Sequence, residues 1–438
     1  MKRRLWVPEL KHGIIMQKNN QVIEDLLIKA GIILPDDKIN SIVVEIPTSQ
    51  NIAMNGRKIS GTVIIKTNKN SLLANGRKSD KINFLAENNN DFLLLKSVPT
   101  GRGFHWQHTI QVQLSDKIII QNIDGYLFVI NELMIEEYLP FVATAEMNAG
   151  CPIALLEAQI IAARSWLLAN RKAKHPALEI DACNDDCCQR YQGQVAIPSQ
   201  TWQAIRNTAG MVLMFENEVC DARYSKCCGG ITESFENAWG GNPVKYLSSV
   251  SDFPSGEAPN IANNEFISSS PTAFCSEKFV NPNDIPKYLG KVDKIDSYYR
   301  WKISLSQSEM TATLNQKLNL NAKEIIDLTP IKRGYSGRII ELEINYIDKF
   351  NSKKSIKLKS EYDIRDALHS KFLYSSAINI EQIDDSNRHI KLFKFKGAGW
   401  GHGVGLCQIG ALGMALAGHS AEEILQHYFT GTTLQKMY

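Results

Sequence analysis

Residues 135–170 read IEEYLPFVATAEMNAGCPIALLEAQIIAARSWLLAN, and they contain the first helical pattern of the chain. Apolar residues recur at helical spacing on both sides of Pro140, which interrupts the first half of the pattern. Pro152 stands where the first turn of a helix tolerates proline. The pattern therefore predicts a short helical segment over 135–146 and a long helix over 153–170.

The residues outside this stretch are mostly typical of strands and polar turns. Residues 42–46 and 61–65 are predicted strands, and an Asn/Lys-rich loop is expected around 75–90. A glycine-dense block, 397–405, precedes a helix that Gly418 should end, and a capping box at 420–423 opens a last helix. We expect an α+β fold with four segments: a β-rich N-terminal domain (1–130), the first part of a mixed helix and strand core (131–255), an inserted segment of unknown role (256–390) and the C-terminal part of the core (391–438).

Composition excludes some classes of protein. The 438 residues are 44% hydrophobic and 22% charged, as in an ordinary globular protein. A net charge of +3 is too small to indicate a nucleic-acid-binding protein, although it is compatible with an acidic polymer as substrate. The sequence has no apolar run of about 18 residues, so no transmembrane segment is expected. The basic N-terminus is followed by Pro8, Glu9 and Lys11, and no signal peptide is recognisable.

Glu146 is the first candidate catalytic residue. It lies between the two predicted helical segments among apolar neighbours, where a carboxyl group can be desolvated as a general acid requires. Arg164 and Glu157 are expected on one face of the long helix and could line the same cleft. On chemistry alone, a single glutamate beside a helix is more often a cap or a surface charge.

The nine cysteines are unevenly distributed. His175, Cys183, Cys187 and Cys188 lie close together in sequence, and four such ligands suit tetrahedral Zn²⁺. Adjacent ligands such as Cys187 and Cys188 are less usual than a two-residue gap, because neighbouring side chains point apart unless the backbone turns. The alternative is three reduced thiols in a loop beside a surface histidine, and the metal site is the favoured interpretation.

Residues 224–239 mix polar, aromatic and glycine residues in the way of a sugar-binding wall. In such a wall Trp239 would stack on a pyranose face, and Glu236 or Asn237 would hydrogen-bond sugar hydroxyls. A tight turn between strands explains the same composition, and from the residues alone it is the better explanation.

Residues 397–408 contain Trp400 and His402 between closely spaced glycines that allow close backbone approach. The block lacks the Lys-Ser/Thr ending of a phosphate loop, so nucleotide binding is not expected. His402 is a candidate catalytic, structural or ligand residue, and a single histidine is more often structural.

Taken together and in this order, these segments resemble the SpoIID/LytB family, whose sporulation member is a lytic transglycosylase of peptidoglycan. The resemblance covers about 130–255 and 390–438. It rests on Glu137–Leu139, Glu146–Met147, Leu155–Arg164, Cys227–Gly230, Trp239, Gly399–Gly405, Gln408–Ala411, His427–Phe429 and Gly431–Leu434.

The resemblance implies roles for individual residues. Glu146 takes the position of the catalytic glutamate, and Arg164 matches a functionally important arginine. His175, Cys183 and Cys188 match the ligands of zinc-binding members, and Cys187 stands where a second histidine would be. Because four protein ligands leave no open position, the zinc would be structural. Gln159 is expected to bind substrate together with Tyr224, Lys226, Glu233, Trp239, Trp400 and His402.

One carboxyl suffices for a lytic transglycosylase, whereas a hydrolysing glycosidase normally needs two. The resemblance therefore implies cleavage of peptidoglycan glycan strands, expected to be denuded of stem peptides, to 1,6-anhydromuramoyl ends outside the cytoplasm. Two alternatives stay open. The chain could be a non-catalytic wall-binding module that stimulates a cell-wall amidase, or the cysteine cluster could carry metal-dependent hydrolysis if it kept an open coordination site.

Overall fold

The computed structural model describes residues 26–88, 90–103, 107–148, 150–185, 187–194, 196–256, 265–289, 297–384 and 389–438. The N-terminal residues assessed for a signal peptide lie outside these ranges. Within them, no helix has both the length and the apolar character needed to cross a membrane.

The elements alternate between long runs of strands and groups of helices. The strands are β1 (Leu27–Ile33), β2 (Ser41–Ile46), β3 (Ile52–Met54), β4 (Arg57–Ile59), β5 (Gly61–Asn68), β6 (Ser71–Ala74), β7 (Arg77–Ser79), β8 (Lys81–Ala86), β9 (Leu93–Thr100), β10 (His108–Leu114), β11 (Lys117–Ile123), β12 (Tyr126–Met134), β13 (Ala182–Cys183), β14 (Met211–Phe215), β15 (Glu218–Val219), β16 (Tyr224–Ser225), β17 (Arg300–Ser306), β18 (Ala322–Arg333), β19 (Ile339–Asp348), β20 (Lys353–Leu358), β21 (Ile378–Asp384), β22 (Ile390–Ala398), β23 (Leu406–Cys407) and β24 (Thr433–Lys436). The α-helices are α1 (Ile135–Glu146), α2 (Ile153–Ala169), α3 (Ser199–Asn207), α4 (Phe235–Trp239), α5 (Glu265–Ser268), α6 (Ile285–Leu289), α7 (Gln307–Leu318), α8 (Glu361–Ala367), α9 (Gln408–Leu416) and α10 (Ala421–Tyr428). This mixture confirms the predicted α+β class.

The chain forms two compact units. Among the described residues, unit 1 contains those within 26–146 and 167–205, and unit 2 contains those within 147–166 and 206–438. The four segments expected from the sequence stay predictions.

Unit 1 is built on two sheets, with strand orders β13-β1-β12-β11-β8-β3-β4 and β10-β9-β2-β5-β6-β7. The predicted strands at 42–46 and 61–65 are confirmed as parts of β2 and β5. The loop expected over 75–90 is wrong for most of its length, because β7 and β8 lie within it. Asn75 and Gly76 both take positive φ in the tight turn that joins β6 to β7, and β8 then buries alternate apolar side chains.

The two predicted helices of 135–170 are confirmed as α1 and α2. Pro140 lies inside α1, and the Thr144 hydroxyl donates a hydrogen bond to its carbonyl at 2.7 Å. The buried residues of α1 include Tyr138, Leu139 and Val142, so its helical pattern has a packing role.

Unit 2 contains four small sheets, with orders β15-β14-β24, β16-β23, β17-β22-β21 and β18-β19-β20. Strands β17 to β21 lie in the inserted segment, as expected from the strand-typical residues outside 135–170. β22 is the central strand between β17 and β21, and its Phe393 and Phe395 pack in one core with Leu314, Ile325 and Ile344. Residues of the inserted segment (256–390) and of the C-terminal part (391–438) therefore pack in one hydrophobic core.

The C-terminal helices are also confirmed. α9 follows the glycine-dense block and is succeeded by Gly418 at φ +96°. Ser420 and Glu423 form the predicted capping box of α10, each side chain bonding the other residue's backbone.

Candidate functional site

Glu146 is the last residue of α1 and is half-buried. Buried aromatic residues fix the helix that carries it. The ring of Tyr191 lies 4.9 Å from that of Tyr138 and 6.2 Å from that of Phe141, and its hydroxyl donates to Asn131 Oδ1 at 2.8 Å. Burial raises the pKa of Tyr191, so the hydroxyl keeps its proton for this bond. The aromatic packing therefore anchors α1, the helix whose last residue is Glu146.

Arg164 and Gln159 lie inside unit 2 and are fully buried. Arg164 Nη1 donates to the Met211 carbonyl at 3.0 Å, and the next residue, Ser165, accepts from the Leu213 N–H at 2.9 Å. These bonds attach α2 to β14, which is a positioning role. Neither amide atom of Gln159 has a hydrogen-bond partner among the described residues. In this structure, both side chains are out of contact with solvent.

Glu157 does not join Arg164 in a shared cleft. Its carboxylate accepts a hydrogen bond from Asn207 Nδ2 at 2.7 Å, while Arg164 bonds the backbone of β14. Helical spacing places the two residues on similar faces of α2, but each has its own partner.

The predicted ligands His175, Cys183, Cys187 and Cys188 converge in unit 1, with their ligand atoms all within 4.8 Å of one another. Cys183 Sγ lies 3.0 Å from Cys187 Sγ, and Cys188 Sγ lies 3.3 Å from His175 Nε2. Hydrogen bonds from Cys183 and Cys188 lower the pKa of the Cys187 thiol. One imidazole and three thiols in this arrangement fit the donor set of a tetrahedral Zn²⁺ site.

The backbone explains how adjacent cysteines can share one centre. β13 pairs in parallel with β1, opposite Gly31, and this pairing buries Cys183. A turn follows, in which the Cys188 N–H donates to the Asp185 carbonyl at 2.9 Å. The Asp185 carboxylate is itself held by the N–H groups of Gly101 and Arg102, at 2.9 and 2.7 Å.

Trp239 and His402 come together on the surface of unit 2. Trp239 ends α4 with 42% of its surface exposed, and the Cζ atom of Arg223 lies 4.0 Å from its ring centroid. The His402 ring is 4.7 Å away, and the Phe235 ring 5.3 Å away. The indole is therefore an exposed aromatic surface supported by a cation and two rings.

His402 is neutral at pH 7. Burial lowers its pKa well below the usual 6.5, and the nearby guanidinium groups of Arg223, Arg365 and Arg338 lower it further. Nδ1 accepts a hydrogen bond from the Val404 N–H at 3.0 Å, so Nε2 carries the proton.

Glu233 is fully buried, and both its carboxylate oxygens accept hydrogen bonds. The donors are the Ser234 N–H at 2.8 Å, Asn237 Nδ2 at 2.9 Å and the Ser336 hydroxyl at 2.6 Å. The expected substrate-binding residue thus organises the turn that leads into α4 and Trp239.

The sequence did not predict a role for Arg338. Its fully buried guanidinium donates to the carbonyls of Cys228 at 3.2 Å and Gly401 at 3.3 Å, and to the Ser336 hydroxyl at 3.1 Å. A Cβ atom at position 403 would collide with the Arg338 guanidinium, which explains why this residue is glycine. Arg338 lies in the inserted segment, where no motif was recognised, so the sequence carried no signal for this role.

Trp400 is enclosed by other rings. It stacks on Tyr374 at 4.2 Å and an interplanar angle of 20°, and Tyr298 meets its edge at 5.3 Å. Tyr224 and Lys226 are half-buried in or next to β16, which pairs in parallel with β23. The backbone of Tyr224 also hydrogen-bonds the His402 ring. Of the expected substrate contacts, Trp239 presents the most exposed aromatic face.

Two family models match the chain. Residues 124–215 match the model described as Stage II sporulation protein, and residues 233–405 match a domain of unknown function, DUF8618. The second match includes the whole of the inserted segment, 256–390.

Two curated proteins are also similar to the chain. An uncharacterized protein of Brachyspira hyodysenteriae (strain ATCC 49526 / WA1) is 25% identical over 309 residues, which cover 70% of this chain and 68% of that protein. The amidase enhancer of Bacillus subtilis (strain 168) is 24% identical over 297 residues, which cover 66% of this chain but only 39% of that longer protein. The motifs and these matches agree: the chain is similar to the SpoIID/LytB family, with the family model matching residues 124–215.

Proposed function

We propose that this chain acts on the peptidoglycan of the bacterial cell wall, outside the cytoplasm, as a lytic transglycosylase with Glu146 as its general acid and base. The observation that carries the proposal is the contrast between two carboxylates. Glu146 is half-buried at a helix end, whereas Glu233 is fully buried with both oxygens hydrogen-bonded. The chemistry that needs one accessible carboxyl fits this arrangement better than two-carboxyl hydrolysis.

The reaction would proceed in two proton transfers. Glu146 donates its proton to the glycosidic oxygen as the bond from that oxygen to the muramoyl C1 breaks. The resulting carboxylate then removes the proton from the C6 hydroxyl of the same sugar, and the C6 oxygen forms a bond to C1. The products are a 1,6-anhydromuramoyl end and a free hydroxyl on the leaving sugar, without consumption of water.

The surface around Trp239 would bind the glycan. An exposed indole offers a flat apolar face to a pyranose ring, and the neutral His402 beside it adds no charge. The Arg223 guanidinium against the ring adds positive charge to the surface, which suits the acidic lactyl groups of denuded muramic acid.

We further propose that His175, Cys183, Cys187 and Cys188 hold a structural Zn²⁺ ion. The ion would stabilise the loop after β13, where adjacent cysteines converge. With four protein donors it would have no position for substrate, so catalysis would rest on Glu146.

A second function is favoured by the name of one relative, the amidase enhancer of B. subtilis. Under this alternative, the chain binds wall glycan and stimulates a cell-wall amidase, and the surface at Trp239 keeps its role. Only the transglycosylase depends on the carboxyl of Glu146.

The two functions are separated by incubating the purified chain with glycan strands stripped of stem peptides and identifying the products by mass spectrometry. We expect anhydromuramoyl ends from the native chain and from Glu136→Gln, a control on the same helix, but none from Glu146→Gln. Products heavier by one water would indicate hydrolysis. No cleavage by any of the three, with strand binding intact, would refute the transglycosylase and favour the amidase enhancer.

A further inference from the structure

A second group of side chains that could hold a metal ion lies in unit 2, whereas the predicted zinc ligands belong to unit 1. Cys228, Asp252, Cys275 and Cys407 have their ligand atoms within 4.8 Å of one another. All four residues are buried, with exposed fractions of 2% or less. Three thiols and a carboxylate rarely meet in a protein interior without a function, because each is costly to bury in charged form.

The fold brings these residues together from distant parts of the chain. Cys228 follows β16, and Cys407 ends β23, the parallel partner of β16. The Asp252 N–H donates to the Gly230 carbonyl at 2.9 Å, and Asp252 Oδ2 in turn accepts from the Cys275 N–H at 2.9 Å. The four side chains are therefore positioned by backbone pairing and short polar contacts.

The distances fit a tetrahedral metal site. A Zn–S bond of about 2.3 Å places the sulfur atoms of a tetrahedral site about 3.8 Å apart. Cys228 Sγ and Cys275 Sγ are 3.7 Å apart. A disulfide would need a separation of about 2.05 Å.

Backbone N–H groups point at the sulfur atoms as they do towards thiolates. Cys407 Sγ accepts from the N–H groups of Cys228 at 3.1 Å and Gly410 at 3.3 Å, and Cys228 Sγ accepts from that of Gly230 at 3.4 Å. Cys407 is also the N-cap of α9, where the helix dipole favours negative charge.

The carboxylate has partial compensation from the protein. Asp252 is fully buried, and its Oδ1 accepts the Tyr428 hydroxyl at 2.5 Å and lies 3.7 Å from His427 Nε2. Three buried thiols and a buried carboxylate this close together need a nearby positive charge, which a divalent cation supplies.

We propose that Cys228, Asp252, Cys275 and Cys407 form a second, structural Zn²⁺ site. The ion would join the turn after β16 to Asp252, Cys275 and the start of α9. Through the Cys228 carbonyl, which Arg338 binds, it would also support the surface at Trp239 and His402. The inference does not depend on the proposed activity.

The test is the zinc content of the full chain, purified under reducing conditions and measured by mass spectrometry of the metal. We expect about two equivalents per chain in the native protein and in Cys220→Ser, a matched control at a buried cysteine outside both groups. Cys275→Ser should lose one equivalent, whereas Cys275→His, which keeps a zinc ligand, should retain it. Cys183→Ser should lose the other equivalent and leave this one in place.

A second measurement uses only the native chain, so it tests the proposal even if the variants fail to fold. The native chain is alkylated at its thiols before and after chelation, and the modified cysteines are mapped by peptide mass spectrometry. Cys228, Cys275 and Cys407 should become reactive only after the metal is removed. A single equivalent that disappears with Cys183→Ser would overturn the proposal, as would a Cys228–Cys275 disulfide in the purified chain.

Discussion

Replacement of Trp239 by alanine should weaken the binding of denuded glycan strands by about 8- to 60-fold. A tryptophan side chain presents roughly 250 Å² of surface, so an exposed fraction of 42% leaves about 100 Å² for a ligand. At about 25 cal/mol per Å², covering half to all of this area contributes about 1.2 to 2.5 kcal/mol. A tenfold change in the dissociation constant corresponds to about 1.4 kcal/mol.

The measurement is a binding titration in a Glu146→Gln background, which prevents cleavage of the strands under the proposed mechanism. Trp202→Ala is the matched control, because Trp202 is 37% exposed but lies in α3 of the other unit. Trp239→Phe should retain about half of the binding free energy, since a smaller ring keeps the stacking face. Equal affinity for the Trp239→Ala and Trp202→Ala proteins would refute the assignment of the glycan surface.

Three further predictions concern stability. Gly403→Ala should lower the free energy of unfolding by about 3 kcal/mol or more in urea titrations, because φ is +77° and the new methyl group collides with the Arg338 guanidinium. Gly418→Ala, at φ +96° with no described atom within 4 Å of the added Cβ, should cost only about 1 kcal/mol; equal costs would contradict the packing argument. The folded-state pKa of His402 lies below its unfolded value of 6.5, so the stability that the neutral buried imidazole contributes is complete above pH 6.5 and is lost as the pH falls below that value. The free energy of unfolding of His402→Gln should therefore depend less on pH between pH 7 and 5 than that of the native chain. Chelation should lower the thermal unfolding temperature of the native chain more than that of Cys183→Ser, and equal shifts would exclude a stabilising metal at His175, Cys183, Cys187 and Cys188.

The parts of the fold with strong local signals were predictable from the sequence. The helical spacing around Pro140, the proline before α2 and the Ser420–Glu423 capping box each depend on neighbouring residues, and all three predictions are confirmed. The loop expected over 75–90 is wrong because polar composition concealed the alternation of Ile82, Phe84 and Ala86 in β8.

The candidate site was only partly predictable, because much of it depends on contacts between distant residues. The cluster from His175 to Cys188 is local, so its spacing was informative. Cys228, Cys275 and Cys407 are far apart in sequence, so their spacing does not indicate a metal site. Arg338 lies in a segment without a recognised motif, and the burial of its guanidinium follows from tertiary packing alone.

The pairing of β16 with β23 also affects how the protein is made. The Cys228 N–H and Cys407 Sγ are hydrogen-bonded across 179 residues, and β14 pairs with β24, which ends at Lys436. At about 5–20 residues per second, a ribosome needs about 10–40 s to synthesise the intervening chain. During this time Cys228 is present in the nascent chain without Cys407. Unit 2 therefore cannot complete the pairing of β16 with β23 until synthesis has passed the glycine-rich block.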